Sequence, residues 1–438
     1  MASNKHPLAG LAMLLLATAS LGAAAPDHLS DEQIDRRIRE HRTGELVVTV
    51  LDAAGRPLAN ADVLVEMKAH KFLFGCNLYA FGKCGTDELE RAYRSRFADL
   101  LNFATLGFYW ASYERQRGQT LAEYVGQAAA WCREQGIRTK GHPLCWHQTT
   151  PAWLGDLDAA QVERAQFDRI RREVEEFRGR IDTWDVLNEA IVMPDYQGGR
   201  NPVAALCLRL GREGLIARCF DVARRANGGA TLVLNDFRLD PPYEKLIRQC
   251  LDAGVAIDAI GLQSHMHGHY WGAKHAWDVC ERFAKFGRPL HFTEVTIVSG
   301  PRPKDPPPGQ RRLAGWQTTP EGEARQAEQG AEFYRVLFSH PAVQAITWWD
   351  FSDLRAWQGA PAGLLRKDMS PKPIYTRLHD LIRREWWTAP QRLKSDPQGR
   401  ITIRGFLGRY EVIAGHLHAT VTLDKPGQNA QQVKLTPR

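Results

Sequence analysis

The stretch FDRIRREVEEFRGRIDTWDVLN, residues 167–188, contains one unit of the pattern that decides the fold. In its first half, apolar residues recur at helical spacing, at Phe167, Ile170, Val174 and Phe177. Residues at this spacing share one face of an α-helix, so this half is predicted to be an amphipathic helix. Residues 181–188 follow as a candidate strand, and the two halves together form one helix–strand unit.

The same alternation of strands and helices extends from residue 71 to residue 387. Eight candidate strands are each followed by an amphipathic helix pattern: 72–78, 101–106, 137–145, 181–188, 231–236, 256–263, 289–294 and 343–350. Eight strand–helix pairs over this length predict an α/β fold of the (β/α)8 TIM barrel type. A doubly wound parallel sheet is the alternative architecture.

The segments on either side of the barrel are predicted to form a small β-rich module. Residues 46–51 and 61–67 are strand-like and flank a turn with Gly and Pro, which predicts a β-hairpin within 44–70. Four short strand-like runs lie within 388–438. Because a lone hairpin is only marginally stable in water, we expect the two terminal segments to fold together beside the barrel of residues 71–387.

The first 25 residues have the features of a secretory signal peptide. Lys5 and His6 precede an apolar run over 8–21, and a small-residue segment over 22–25 follows. The run is too short to span a bilayer comfortably, so we expect a secreted or periplasmic protein with no membrane contact after cleavage. In such a compartment the eight cysteines could form disulfides. The pairs Cys76/Cys84 and Cys207/Cys219 are close enough in sequence to do so, and the connectivity stays open.

The charge distribution argues against a nucleic-acid partner. The chain has 57 Lys and Arg residues against 50 Asp and Glu residues, a net charge of +7. Basic and acidic residues are interspersed, and no Lys/Arg block of the kind that binds nucleic acid is present. The excess of positive charge is therefore interpreted as a solvated surface, and the oligomeric state is left open.

Two carboxylates at the ends of candidate strands suggest the chemistry. WDVLNEA (184–190) contains Glu189, and HFTEV (291–295) contains Glu294. In a (β/α)8 barrel the C-terminal ends of the strands carry the active site. A pair of carboxylates suits glycoside hydrolysis, because one protonates the leaving oxygen while the other attacks the anomeric carbon. Either dipeptide alone is weak evidence, since most glutamates are surface groups.

Three further motifs end other strands: KGHPLCWH (140–147), GLQSH (261–265) and WWDFSDLRAW (348–357). With them, the chain resembles glycoside hydrolase family 10, the endo-β-1,4-xylanase family, over about residues 72–384. Five motifs occur in the order of that family. The resemblance implies an endo-1,4-β-xylanase-like retaining glycosidase with a polysaccharide or oligosaccharide substrate. It does not extend to the terminal β segments.

The resemblance also implies residue roles. Glu189 would be the acid/base and Glu294 the nucleophile, held by His265. Substrate contacts are expected from His142, Trp146, Asn188, Gln263, His265, Trp349 and Trp357. No cofactor and no metal are expected: alternation along the strand separates His269 from His265 and His267, and no phosphate-binding loop is present.

The chain departs from the family pattern on the second candidate strand and directly after it. Leu106 and Tyr109 stand where an Asn and a Lys of the family bind a further sugar, and Thr149, after the third candidate strand, replaces a Gln. Glu114 is a candidate replacement for these polar contacts, with a solvated charge as the alternative interpretation. The cleavage subsite is therefore expected to be intact and its outer neighbour altered, which leaves xylan itself open as the substrate. The alternatives are a hydrolase acting on another β-glycoside, an exported glycan-binding barrel without hydrolytic activity, and a scaffold in which the β module is the functional part.

Overall fold

The computed structural model describes residues 27–303, 312–313 and 315–437. The signal peptide predicted over 1–25 lies outside the described residues. None of the described helices is long and apolar enough to cross a membrane.

The strands and helices of the described residues have the following bounds. The strands are β1 (Thr43–Leu51), β2 (Asp62–His70), β3 (Leu73–Asn77), β4 (Phe103–Gly107), β5 (Arg138–His142), β6 (Thr183–Asn188), β7 (Thr231–Asp236), β8 (Ala259–Met266), β9 (Leu290–Ile297), β10 (Val343–Trp348), β11 (Gln391–Lys394), β12 (Arg400–Phe406), β13 (Gly408–Ala414), β14 (Leu417–Leu423), β15 (Gly427–Lys434) and β16 (Thr436–Pro437). The α-helices are α1 (Asp31–Arg42), α2 (Asp87–Leu100), α3 (Trp110–Tyr113), α4 (Ala122–Glu134), α5 (Ala159–Glu176), α6 (Pro202–Leu210), α7 (Arg212–Ala226), α8 (Pro241–Asp252), α9 (Gly272–Ala284), α10 (Pro320–Ser339) and α11 (Pro373–Asp380). Short helical turns occur at Asp27–Leu29, Ala152–Asp156, Met193–Gly199, Trp357–Gly359 and Leu381–Glu385.

Strands β3 to β10 form a closed parallel barrel, so the prediction of a (β/α)8 TIM barrel is confirmed. The barrel closes where β10 pairs in parallel with β3, with Ala345 opposite Leu73. Helix α5 is the amphipathic helix predicted from the spacing of its apolar residues, and Phe167, Ile170 and Val174 are buried along it. All eight strands therefore end at one mouth of the barrel.

The two chain termini build one β-rich module, as predicted, but the hairpin predicted within 44–70 is wrong. β1 lies in a three-stranded sheet between β12 and β15, whereas β2 lies in a five-stranded sheet between β11 and β13. The apolar face of β1 (Leu46, Val48) and that of β2 (Val63, Val65) share one core cluster. The two strands therefore contribute apolar side chains to a common core, and their hydrogen-bonding edges pair with C-terminal strands instead of with each other.

Arg42 connects this module to the barrel. The side chain is buried where α1 meets β1, and it donates hydrogen bonds to the carbonyls of Phe338, His340 and Val343. These three carbonyls belong to the end of α10 and the start of β10. The guanidinium group therefore donates to two carbonyls at the helix end, where no further helical turn supplies donors, and to one carbonyl of β10.

The eight cysteines all lie in the described part of the chain, and all are buried free thiols. Neither pair considered from the sequence, Cys76/Cys84 or Cys207/Cys219, forms a disulfide. Cysteines that are close in sequence are therefore not bonded to each other, and each thiol packs in the core as a small apolar side chain.

Candidate active site

The barrel strands bring the candidate site residues to one end of the barrel. His142 ends β5, Asn188 ends β6 with Glu189 next to it, and Gln263 and His265 lie in β8. Glu294 lies in β9, and Trp349 directly follows β10. Because parallel strands end at the same mouth, residues more than 200 positions apart in sequence meet here.

Glu189 and Glu294 belong to one hydrogen-bond network made of side-chain amides. Asn235 donates from Nδ2 to Oδ1 of Asn188 (2.8 Å) and to Oε1 of Glu294 (2.9 Å). Gln263 donates from Nε2 to Oδ1 of Asn188 (3.1 Å) and to Oε1 of Glu189 (3.4 Å). A chain of three amides therefore links the two carboxyl groups.

Asn235 was not predicted as a site residue, although it lies at the end of a predicted strand. Its Oδ1 accepts a hydrogen bond from the Thr293 hydroxyl at 2.6 Å, which sets the orientation of the amide. A Cβ at Gly261, on the neighbouring strand, would lie only 2.4 Å from that Oδ1. The glycine in GLQSH is therefore required for Asn235 to reach the carboxylate. The signal in the sequence was only a polar residue at a strand end.

Glu294 is a buried carboxylate held in its ionised form. His265 Nε2 lies 3.0 Å from Oε2, and Thr296 Oγ1 lies 2.9 Å from the other ring nitrogen of His265. Burial on its own raises the pKa of Glu294. The hydrogen bond from His265 and the electrostatic influence of His142, His265 and Lys140 outweigh burial, and the pKa is lowered below its usual value.

Glu189 is buried as well, and its pKa moves in the opposite direction. Burial, and next the negative charges of Glu294 and Asp236, raise the pKa to about 8. The hydrogen bonds from Trp146 Nε1 (2.9 Å) and Gln263 Nε2 (3.4 Å) oppose this shift only in part. Gln148 Nε2 also donates to Oε2, at 3.2 Å. The backbone of Glu189 is left-handed, with φ of 58°, which is uncommon for a residue with a side chain. Gln148, which directly follows KGHPLCWH, was also not predicted.

Because of these two pKa shifts, the two carboxyl groups differ in protonation state. With these shifts, at neutral pH the Glu189 carboxyl can donate a proton, and the Glu294 carboxylate can act as a nucleophile. Two neighbouring carboxyl groups with pKa values pushed apart are the arrangement from which acid and base roles are assigned.

His142 is oriented by a buried ion pair behind it. His142 Nδ1 and Lys140 Nζ both lie 2.7 Å from Oδ2 of Asp185, and all three side chains are buried. Burial raises the pKa of Asp185, but the charge of Lys140 and the contact with His142 lower it below its usual value. The carboxylate therefore holds a proton on Nδ1 and fixes the orientation of the ring.

Trp349 and Trp357, two of the three tryptophans predicted to contact sugar, occupy different positions. Trp349 is buried, and its ring meets the rings of His142 (5.4 Å) and His265 (5.9 Å) edge-on. Trp357 is 45% exposed, and its ring centroid lies 4.6 Å from that of His265. Trp349 is therefore part of the pocket wall, whereas Trp357 lies at the rim with much of its apolar surface uncovered.

Residues of β4 and of the loops after β3 and β4 give the site an apolar and aromatic side where the family pattern has polar residues. Leu106 is buried, and Tyr109 contacts the rings of His142 (5.5 Å), Trp146 (5.6 Å) and Tyr79 (5.6 Å). Glu114, considered as a replacement polar contact, is instead buried and bonded to Arg172 at 2.8 Å. Within the described residues, no group of three or more His, Cys, Asp or Glu side chains is arranged to hold a metal ion.

Comparisons with known proteins identify the family to which the barrel belongs. The family model for glycosyl hydrolase family 10 matches residues 80–381. An anti-sigma-I factor of Acetivibrio thermocellus is 24% identical over 93% of this chain and 50% of its own length. An endo-1,4-beta-xylanase/feruloyl esterase of Xylanibacter ruminicola is 26% identical over 53% of this chain and 35% of its own length. Endo-1,4-beta-xylanase B of Thermotoga neapolitana is 25% identical over 62% of this chain and 78% of its own length. The chain thus spans half or less of the length of the first two relatives.

Solved structures share the barrel. Xylanase 10B from Thermotoga maritima superposes with a TM-score of 0.59 and 23% identity, over 72% of this chain and 96% of that one. Xylanase 10B from Thermotoga petrophila, in complex with xylobiose, gives a TM-score of 0.59 and 22% identity, over 72% of this chain and 95% of that one. The superposed part accounts for the barrel fold.

Proposed function

Since this chain belongs to glycosyl hydrolase family 10, we propose that it is a retaining glycosidase that cleaves β-1,4-linked xylan or a related β-glycoside by double displacement. Glu189 is the acid/base, and Glu294 is the nucleophile. The observation that carries the proposal is the opposite direction of the two pKa shifts, raised to about 8 for Glu189 and lowered for Glu294, within one hydrogen-bond network.

In the first step, the ionised Glu294 attacks the anomeric carbon of the sugar whose linkage is cut. The bond from that carbon to the glycosidic oxygen breaks, and the Glu189 proton moves to the departing oxygen. A glycosyl ester on Glu294 results. The bonds from Asn235 and His265 to the carboxylate keep it aligned and ionised until the attack.

In the second step, Glu189 changes role. Ester formation removes the negative charge of Glu294, which is one of the causes that raise the Glu189 pKa. The Glu189 pKa therefore falls, and its carboxylate accepts a proton from water as the water oxygen attacks the anomeric carbon. The ester bond to Glu294 breaks, and the sugar leaves with the configuration it had in the substrate.

Asn188 and Gln263 position the sugar at the cleavage point. Asn188 Oδ1 accepts hydrogen bonds from both Asn235 and Gln263, so its own Nδ2 is the group left to donate to a sugar hydroxyl. A donor beside the anomeric carbon suits the 2-hydroxyl, whose hydrogen bond strengthens in the transition state.

The test is to follow the product of nitrophenyl β-xyloside and of a panel of β-glycans by proton NMR. A retaining enzyme releases the β-anomer first, and the α-anomer appears only later by mutarotation. Initial release of the α-anomer would contradict double displacement. Glu294→Gln, which has nearly the same size and no charge, is the control that separates enzymatic hydrolysis from contamination.

A binding-only role is the second candidate, and one comparison favours it. The relative that aligns over 93% of this chain is named an anti-sigma-I factor, not a hydrolase. A glycan-binding barrel would bind xylo-oligosaccharides in calorimetry without releasing product from any substrate of the panel. Hydrolysis that Glu294→Gln abolishes excludes this alternative.

We also propose that the protein is exported. The support is the segment with Lys5, an apolar run over 8–21 and the small residues 22–25. Expression of the full chain in a bacterial host, followed by N-terminal sequencing of the periplasmic fraction, tests this. A protein that keeps its first 20 residues and stays in the cytoplasm would contradict export.

A further inference from the structure

A continuous row of aromatic rings borders the candidate site from β10 to β5. Trp349, Tyr79, Tyr109 and Trp146 follow one another around the mouth, and each neighbouring pair of ring centroids is 5.6 Å apart. We call these four side chains the aromatic wall. His142 supports the wall from inside the pocket, since its ring meets both Tyr109 and Trp349.

The two tyrosines in the middle of the wall separate the site from a second cavity. This cavity has a volume of about 210 Å³, and Tyr79, Tyr109, Lys83, Leu106, Ser112 and Tyr124 are among its lining residues. Its described lining includes neither Glu189 nor Glu294. The Tyr79 and Tyr109 hydroxyl oxygens lie 3.3 Å apart, so a hydrogen bond joins the two side chains that divide the spaces.

Both tyrosines are held in place by the surrounding backbone. A Cβ at Gly107 would lie 3.2 Å from the Tyr79 ring, so the ring packs directly on the end of β4. The Tyr109 carbonyl accepts hydrogen bonds from the amides of Ser112 (3.0 Å) and Tyr113 (2.8 Å) at the start of α3. The wall is therefore anchored to β4 and to the helical turn after it.

The wall reaches both carboxyl groups of the site. At one end Trp349 packs against His265, which holds Glu294, and at the other end Trp146 donates to Glu189. The two tyrosines lie between these ends; burial raises the pKa of both, and Glu294 has a larger electrostatic influence on each of them than Glu189 has. The sugar that forms the ester with Glu294 therefore faces the two tyrosines. A further sugar on its non-reducing side would have to occupy the space of the tyrosine rings, and buried Leu106 offers it no hydrogen bond.

We propose that Tyr79 and Tyr109 close the cleft one sugar beyond the cleavage point, so that the enzyme removes single sugars from the non-reducing end of a β-glycoside instead of cutting within the chain. This inference rests on the proposed function and specifies the kind of substrate. Each turnover breaks the linkage between the terminal sugar and the next one. The terminal sugar passes through the ester on Glu294, and the shortened chain leaves with the proton from Glu189.

Nitrophenyl β-xyloside and nitrophenyl β-xylobioside, which have the same leaving group, test the closure. For release of nitrophenol by the native enzyme, kcat/KM should be at least about tenfold higher with the xyloside than with the xylobioside. From the xylobioside it should release xylose first, so nitrophenol appears only after a lag. Immediate release of nitrophenol together with xylobiose would overturn the closure while leaving the proposed function intact.

Matched variants connect that result to the wall. Tyr79→Ala combined with Tyr109→Ala joins the pocket to the 210 Å³ cavity and should remove the lag, with xylobiose as a direct product. Tyr124→Ala enlarges the same cavity from its far side without opening the wall, so the lag should persist. A Tyr79/Tyr109 double variant that folds and keeps the lag would contradict the assignment.

A crystal structure gives a readout that does not require turnover. In Glu294→Gln soaked with xylotriose, the terminal sugar should rest against the wall with the other two sugars on the Glu189 side. A sugar found beyond Tyr79 and Tyr109 would overturn the inference. If neither nitrophenyl glycoside nor any β-glycan of the panel is hydrolysed, the proposed function fails, and the position of the bound sugar still decides whether the wall closes the cleft.

Discussion

Asn235 Nδ2 lies 2.9 Å from Oε1 of Glu294, although the two residues belong to strands β7 and β9, which are separated by β8 in the barrel. The hydrogen bond therefore crosses the barrel mouth in front of β8. Because the same nitrogen also donates to Asn188, Asn235 fixes the relative position of the nucleophile and of the amide that is proposed to bind the sugar.

Replacement of Asn235 by Ala should slow turnover without abolishing it. A hydrogen bond to a charged group contributes about 1.5–3 kcal/mol, which corresponds to a fall of roughly 10- to 150-fold in kcat. The variant also lacks a donor that stabilises the carboxylate, so the acidic limb of the pH–rate profile should move to higher pH. Asn227→Ala, at a buried asparagine outside the site, should leave that limb unchanged.

Gly261→Ala should reproduce much of this defect from the neighbouring strand. The new methyl group would lie 2.4 Å from Oδ1 of Asn235 and 3.0 Å from its Cα, so the amide must move. We expect a stability loss of about 1–3 kcal/mol and a reduced kcat, measured by thermal unfolding and nitrophenyl glycoside assays. Gly228→Ala meets nothing within 4 Å and should change neither. Native kcat in Gly261→Ala would contradict the role given to Asn235.

The pH dependence of kcat/KM should follow the two shifted pKa values. The general acid works only when protonated, so cleavage of substrates with basic leaving groups should decline as the pH rises through about 8, where Glu189 loses its proton. The nucleophile works only when ionised, and its lowered pKa places the acidic limb below the ordinary value of 4.5. Rates on xylobiose from pH 3 to 10 measure both limbs. An alkaline limb that stays near pH 8 in Glu189→Gln would assign it to another group.

Substitution of Glu189 should lower the rate of cleavage far more for some substrates than for others. Glu189→Ala should lower cleavage of unactivated glycosides by about 10²–10⁴-fold, the usual contribution of a general acid. Formation of the ester from a nitrophenyl glycoside should be affected far less, because nitrophenolate departs without a proton. The ester should then accumulate, visible as a burst of nitrophenol, since its hydrolysis needs Glu189 as the base.

Azide identifies the two roles in the same variant. As an anion, it attacks the ester without a base, so Glu189→Ala with azide should produce the β-azido sugar. Glu294→Gln should form no product from any substrate, with or without azide. An α-azido product, or equal loss on both classes of substrate in Glu189→Ala, would reverse the assignment of acid and nucleophile.

The sequence was sufficient to locate a site residue wherever the position of that residue depends only on the strand that carries it. Glu189 and Glu294 sit at strand ends that the apolar pattern locates within a few residues, and parallel strands must bring those ends together. Gln263 and His265 lie at and just beyond the end of another predicted strand, and the family resemblance supplied their expected roles. Asn235 was missed because a single asparagine at a strand end has no distinguishing pattern. Its contact with Glu294 depends on Thr293, which orients the amide, and on Gly261, which leaves room for it; both lie in other strands.

Contacts between segments far apart in the sequence could not be predicted from local residue patterns. β1 and β2 have the alternation and the turn of a hairpin, but β1 pairs with strands more than 350 residues later in the chain. In the sequence, Glu114 resembles a solvated charge, because its ion-pair partner Arg172 lies 58 residues later, in α5. The exposure of Trp357 likewise depends on a short helical turn whose position the local sequence does not specify.

The placement of β1 between β12 and β15 has a consequence for the order in which the molecule is made. β1 precedes the barrel strands in the chain, and both of its neighbours follow them. It must stay unpaired while the whole barrel is being produced, and during that time its edges are open to other chains. The β module can therefore close only after the barrel has been synthesised.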